Sequence, residues 1–218
     1  DPFNFGILNE KYLITGNSSV LSAIKDLMRD YVHNYLEYSL DYMAADMPAE
    51  ASAFLEKILG KQGLAYPMVY YFLGWFAWLS GDSSTATGYF IQAEKQDPSC
   101  CFPNRLEELL VLQCAVKLNP GGSKAHYYLG NLWYSCRQYT EAIECWERSK
   151  SLDDNFPTVR RNLSLENYNK LNEPTRALEE LEKAFNLNKA DTRILMELDQ
   201  LYKRVGRPYN ERLAILEK

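Results

Sequence analysis

The stretch from Ala125 to Trp146, AHYYLGNLWYSCRQYTEAIECW, constrains the fold more than any other part of the chain. Leu129-Gly130 is followed by Trp133, and then Ala142 by Trp146, so small residues and large aromatics recur at helical intervals on two consecutive helices. The small residues mark where two helices approach closely, and the aromatics fill the space beside the crossing. One such helix pair cannot bury its apolar face alone, so the rest of the chain must supply stacked copies.

Weaker copies are present on both sides. Phe3 to Leu13 and Ser19 to Arg29 carry helical apolar spacing around Thr15-Gly16-Asn17, predicting a first pair. Tyr35, Tyr38, Ser39 and Tyr42, a break at Met47-Pro48, and Ala51 with Leu55 give a second. Tyr70, Leu73 and Gly74, the turn Ser80-Gly81-Asp82, then Ala86, Phe90 and Ala93 closed by Pro98 give a third. Beyond the opening stretch, Leu163-Ser164 with Ala177 and Leu181, then Leu198, Tyr202 and a final helix ending at Lys218 continue the series. Asp1-Pro2 repeats the Asp97-Pro98 that closes the third pair, and the expectation is a chain that begins at a repeat boundary of something longer.

The period then exposes an interruption. Ala51, Ala86, Ala142, Ala177 and Arg212 occupy the crossing position of successive second helices, at intervals of 35, 56, 35 and 35 residues. One interval is 21 residues too long, and the surplus is a single helix, Asn104 to Lys117, opened after Pro103 and closed by Asn119-Pro120 and Gly121-Gly122. An odd helix cannot continue a two-helix alternation, so a break or a third-layer helix is expected there. The organisation read from this is residues 1–98 as N-terminal helix pairs, 99–122 as the extra helix with linkers, and 123–218 as C-terminal pairs.

These residues resemble the tetratricopeptide repeat family, best from Tyr35 to Leu187. The resemblance implies an all-α, right-handed α-solenoid of about thirteen antiparallel helices with the odd helix inserted near residues 104–117. It also implies that first helices line a concave groove holding a peptide or protein segment. The segments CFPNRLEELLVLQ and YYLGNLW further resemble the C-terminal helical region of large bacterial proteins with an N-terminal part like sugar-processing β-sandwich domains. That second likeness implies an alternative role, an accessory module that positions an attached carbohydrate-active domain.

Composition narrows the chemistry. A net charge of −5 and a pI near 5.2 give no global field for phosphate backbones, so nucleic acid is not an expected partner. The uncharged window from Ala65 to Gly81 is shorter than a bilayer span, which needs about 20 residues, and no membrane role is expected. The five cysteines, Cys100, Cys101, Cys114, Cys136 and Cys145, show no metal-binding spacing; they are expected as core residues in a reducing cytoplasm, without metal or cofactor. His33 and His126 are the two histidines, and no nucleophile, phosphate-loop or metalloprotease motif accompanies them, so no catalytic residue is assigned. Acidic pairs such as Glu107-Glu108, Asp153-Asp154 and Glu179-Glu180 point about 100° apart on a helix and are expected as solvated faces.

Two candidate surfaces remain. Lys124, Arg161, Arg193 and Arg204 fall on first helices at turns expected to face the groove, with Tyr127, Asn131, Tyr134, Asn162, Tyr168 and Gln200 beside them. Four cations in one trough suit an acidic peptide or a carboxylate. The second is Tyr66 to Leu79, YPMVYYFLGWFAWL, a helix with no charged side. Either neighbours wrap it, or Tyr71, Trp75 and Trp78 project as a docking surface that also supports a homodimer.

Overall fold

The computed structural model describes residues 4–29, 31–59 and 66–216; the expectations on Asp1-Pro2, Phe3 and the last residue, Lys218, lie outside them. Among the described residues there are thirteen α-helices and no strand. They are α1 (Phe5–Thr15), α2 (Ser18–Met28), α3 (Val32–Ala44), α4 (Pro48–Leu55), α5 (Pro67–Leu79), α6 (Ser83–Lys95) and α7 (Leu106–Leu118), then α8 (Ser123–Ser135), α9 (Tyr139–Leu152), α10 (Pro157–Asn169), α11 (Pro174–Leu187), α12 (Thr192–Arg204) and α13 (Tyr209–Leu216). A 3-10 turn, Glu56–Ile58, extends α4. The fold is all-α, of the α-solenoid type, and its contacts form two compact units, Asp1–Gly122 and Ser123–Lys218.

The pairing is built into the turns. The helix hairpins turn on left-handed residues, and in four of them these are Asp46, Gly81, Arg137 and Gly206. The amide of the following residue then reaches back five residues, as Met47 N–H to Tyr42, Asp82 to Ala77, Gln138 to Trp133 and Arg207 to Tyr202, at 2.9–3.0 Å. This helix-ending bond closes the carbonyls that the last turn leaves open and folds the chain back on itself. The α10–α11 turn is one residue longer: Asn172 takes the left-handed position and Glu173 N–H bonds the Asn167 carbonyl six residues back.

The crossings follow the small residues, with one correction to the facing partner. A Cβ on Gly74 would lie 2.5 Å from the Phe90 ring, and one on Gly130 would lie 2.5 Å from the Trp146 indole and 3.1 Å from the Ala142 carbonyl. The aromatic one turn beyond each alanine therefore presses on the glycine, rather than the alanine side chain itself. Ser164 takes the glycine place in α10 and uses its hydroxyl, which donates to the Ala177 carbonyl at 2.7 Å. Ser39 instead bonds the Tyr35 carbonyl of its own helix.

In the first unit, α5 is buried along most of its length because α4, α6 and α7 all pack on it. The odd helix α7 lies against both α5 and α6, burying Val111, Leu112, Cys114 and Ala115 while Leu106 and Leu110 stay exposed. Glu108 departs from the solvated reading of the acidic pairs: it is buried and accepts the amides of Asn104 at 2.6 Å and Arg105 at 2.9 Å, capping α7.

In the second unit α8–α9 and α10–α11 are the closest pairs, α10 also packs on α9, and α12 packs on α11. Ala177, Leu181, Ala184 and Phe185 of α11 close over Ile194, Leu198, Leu201 and Tyr202 of α12. Glu180 is a second exception among the acids: it is buried and takes Arg160 at 2.6 Å and Lys150 at 3.0 Å. Arg160 is also held by the Asp154 carboxylate, so the aspartate in the α9–α10 turn anchors the next helix. Of the cysteines, Cys101 and Cys114 are buried, whereas Cys100 and Cys136 are exposed, so core packing accounts for only part of the set.

Candidate functional site

First helices α8, α10 and α12 are joined edge to edge by side chains rather than by apolar packing alone. Asn131 of α8 accepts two hydrogen bonds on one oxygen, from Trp146 Nε1 at 3.1 Å and from Asn162 Nδ2 at 3.0 Å. Arg161 of α10 clamps Glu197 of α12, with Nε donating at 2.7 Å and a second contact through Nη2. Arg204 of α12 lies 5.3 Å from the centroid of the Tyr168 ring of α10. The Trp146 bond ties Asn131 within its own helix pair, and the other three links join one repeat to the next.

A cleft opens on that face between α10 and α12, lined by Tyr168, Asn169, Glu197, Gln200 and Arg204 over Ser164, Leu181 and Leu201. Three of the residues expected to meet a partner, Tyr168, Gln200 and Arg204, come together here. Gln200 and Arg204 are exposed and Tyr168 is half-buried, so their polar ends are open to a ligand.

The remaining expected residues divide. Tyr127 is 5 % exposed and stacks on Phe156 at 4.8 Å, so it is core. Tyr71 is buried with its hydroxyl donating to Glu94 at 2.8 Å, and Trp75 is 9 % exposed among Phe72 and Phe76. The apolar helix thus has its covering inside the first unit, and of the three aromatics expected to project, Trp78 alone, at 37 %, is exposed. Tyr134 is exposed at 39 % and packs edge-on to Tyr139 at 5.3 Å.

The basic trough is largely neutralised. Arg161 is committed to Glu197, and Arg193 bonds Asp191 of its own helix cap at 3.1 Å, holding the Asp191 carboxyl below the usual carboxylate range. Lys124 is half-buried at the start of α8. Arg204, stacked on Tyr168, is the cation that lines the cleft. The sequence carried a signal for this pairing: Glu197 follows Arg161 by 36 residues, one more than the 35-residue repeat, so opposite charges about a repeat apart meet across neighbouring first helices. Glu166 was a second omission. It is 1 % exposed on α10, and burial pushes its carboxyl above the ordinary value.

Chemically the face offers hydrogen bonds, aromatic edges and one open guanidinium. Thiols of Cys114 and Cys145 are pushed up to about 11 by burial, which keeps them protonated and unreactive at neutral pH. No group of three or more acids, histidines and cysteines among the described residues is placed to hold a metal ion, and no described helix is long and apolar enough to cross a membrane.

Residues 123–156, which span α8 and α9, match the tetratricopeptide repeat family. Similar solved structures include YrrB, described as a TPR protein with an unusual peptide-binding site, at 19 % identity over 88 % of this chain and 87 % of that one, with a TM-score of 0.41. MamA from Desulfovibrio magneticus RS-1 aligns at 21 % identity over 74 % of this chain and 97 % of that one, TM-score 0.36. A thermophilic TPR protein from Thermus thermophilus aligns at 16 % identity over 79 % and 99 %, TM-score 0.41.

Proposed function

We propose that this chain is a non-catalytic scaffold that binds a peptide or protein segment on the face formed by α8, α10 and α12. The observation that carries the reading is the convergence of Tyr168, Gln200 and Arg204 in one cleft beside the Asn131–Asn162 and Arg161–Glu197 links. Half-exposed aromatic rings give contact area at little entropic cost, and the amide and guanidinium groups satisfy the backbone of an extended segment. Because Arg161 and Arg193 already hold carboxylates, an acidic ligand has to compete with them, and binding rests on the aromatic and amide groups more than on net positive charge. The accessory role beside a carbohydrate-active domain rests on the resemblance alone.

Selection of random twelve-residue peptides on the whole immobilised chain tests this reading. Selected peptides should lose about tenfold or more in affinity for a Tyr168→Ala, Gln200→Ala, Arg204→Ala triple variant, a loss typical of removing aromatic and arginine anchors. Peptides that bind the triple variant as well as the parent chain overturn it.

A further inference from the structure

Glu166 stands where the neighbouring repeats place an apolar side chain. Three residues after the repeated leucine, α5 has Phe76, α8 has Leu132 and α12 has Leu201, all buried; α10 has Glu166, equally buried at 1 %. Neither carboxylate oxygen has a partner in strict hydrogen-bonding geometry, the Tyr134 hydroxyl being the donor that comes close enough to favour its charge, and no cation forms an ion pair with it among the described residues. A buried carboxylate left in this condition is costly, and Glu180, the other buried acid among the described residues of this unit, avoids it with two cationic partners.

The surroundings of Glu166 define what it fits. Tyr134 on α8 and Lys170 at the end of α10 are its electrostatic neighbours. Tyr134 packs against Tyr139 at 5.3 Å and Trp146 at 5.6 Å, so the ring next to the acid belongs to a cluster of three. Rings beside a carboxylate form the arrangement that attracts ammonium and guanidinium groups, because ring faces are negative. The chain itself already places a cation there: the Lys170 ammonium lies 4.0 Å from the centroid of Tyr139. Tyr134, exposed at 39 %, is the neighbour of the acid that reaches the surface.

We infer that the aromatic and acidic cluster of Tyr134, Tyr139 and Glu166 is a docking point for a lysine or arginine side chain of the bound segment. This rests on the reading of the α8, α10 and α12 face as the binding surface and adds the chemistry of one anchor. A partner cation pairs with Glu166, displaces Lys170 from the Tyr139 face and stacks on the rings. It inverts the charge expected of the ligand, since Arg161 and Arg193 are paired with acids within the protein and Glu166 has no ion-pair partner among the described residues.

The test titrates the whole chain with capped pentapeptides Ala-Ala-X-Ala-Ala, where X is lysine, arginine, norleucine or glutamate, while following the ring resonances of Tyr134 and Tyr139 and the backbone amides. Lysine and arginine peptides should shift those rings and bind about tenfold or more tighter than norleucine, the scale of one charge-assisted bond. Glu166→Gln and Glu166→Leu should abolish the preference; the leucine variant restores the residue type of α8 and α12, and its melting temperature reports that the fold is intact. Equal binding of lysine and norleucine, or a preference that survives both variants, overturns the inference and leaves Glu166 a structural acid. If shifts occur instead around Tyr168, Gln200 and Arg204 without regard to X, the anchor fails while the binding face stands. If no peptide shifts any residue of the face, both fail.

Discussion

Arg212 and Asp199 form a two-point contact, Nε to Oδ1 at 2.8 Å and Nη2 to Oδ2 at 2.9 Å, at the register where earlier helix pairs carry a small residue on the first helix and an alanine on the second. The last crossing is thus closed by charge rather than by close approach, and the arginine that breaks the alanine series has its acid on the facing helix. Hydrogen bonding to Arg212 holds the Asp199 carboxyl below its ordinary value. The stabilisation is therefore present above the ordinary carboxylate value and is lost as pH falls through the depressed one. Arg212→Ala should lower the melting temperature most at neutral pH and low salt, with the difference shrinking in added salt and in acid. A difference independent of both would assign the effect to packing.

Gly130 and Gly88 predict opposite outcomes for one substitution. A methyl at Gly130 meets Trp146 and the Ala142 carbonyl, so Gly130→Ala should cost about 1–3 kcal/mol by overpacking. Gly88 lies inside α6 with nothing within 4 Å of where an added methyl would sit, so Gly88→Ala should stabilise by about 0.5–1 kcal/mol through helix propensity. Urea unfolding of both variants gives the two signs.

Much of this architecture was legible because the repeat writes it in short-range terms. Small residues at a 35-residue interval locate the crossings, and the 56-residue gap locates α7. What the local pattern does not encode is the direction of each polar side chain relative to the next repeat. Tyr127 and Tyr134 both lie on α8, yet one is core against Phe156 and the other is exposed. Likewise Arg160 and Arg161 are adjacent, but about 100° of helix rotation sends Arg160 to Glu180 and Arg161 to Glu197. Glu108 and Glu180 escape a sequence reading for the same reason: an acid reads as solvated until its cap or its cation, several residues or a repeat away, is in place.

Arg137 holds a left-handed backbone with φ of 61°, where the α5–α6 and α12–α13 turns have glycine. A residue with a Cβ is strained in the left-handed conformation, whereas glycine is not. Arg137→Gly should raise stability by about 0.5–1 kcal/mol, net of the extra freedom glycine gains when unfolded. A lowered melting temperature would show that the Arg137 side chain contributes more than its backbone costs.

Arg160 is buried with its guanidinium on Glu180 and Asp154. Removing one partner of a buried pair ordinarily costs about 3–5 kcal/mol, and because Lys150 still holds Glu180, Arg160→Met should cost less, about 2 kcal/mol. Pairing it with Glu180→Gln should recover part of that loss. Strictly additive losses in the double variant would mean the two side chains are not coupled.

Glu166 makes the protein's stability depend on pH in the opposite sense to Asp199. Burial raises its carboxyl above the ordinary value, while Tyr134 and Lys170 pull it down by less. The unfolded chain therefore releases this proton at a lower pH than the folded chain does. Stability from this group is present below the unfolded value and is lost as pH rises through the raised folded value. Thermal melts across the acid range should show that fall in the parent chain and not in Glu166→Gln, which carries no titrating proton there. Because the amide keeps the shape of the acid without its charge, Glu166→Gln should be at least as stable as the parent at neutral pH. A variant that melts lower at neutral pH, or a parent curve that rises through this window, would mean that the folded protein holds the Glu166 charge with a partner and favours it.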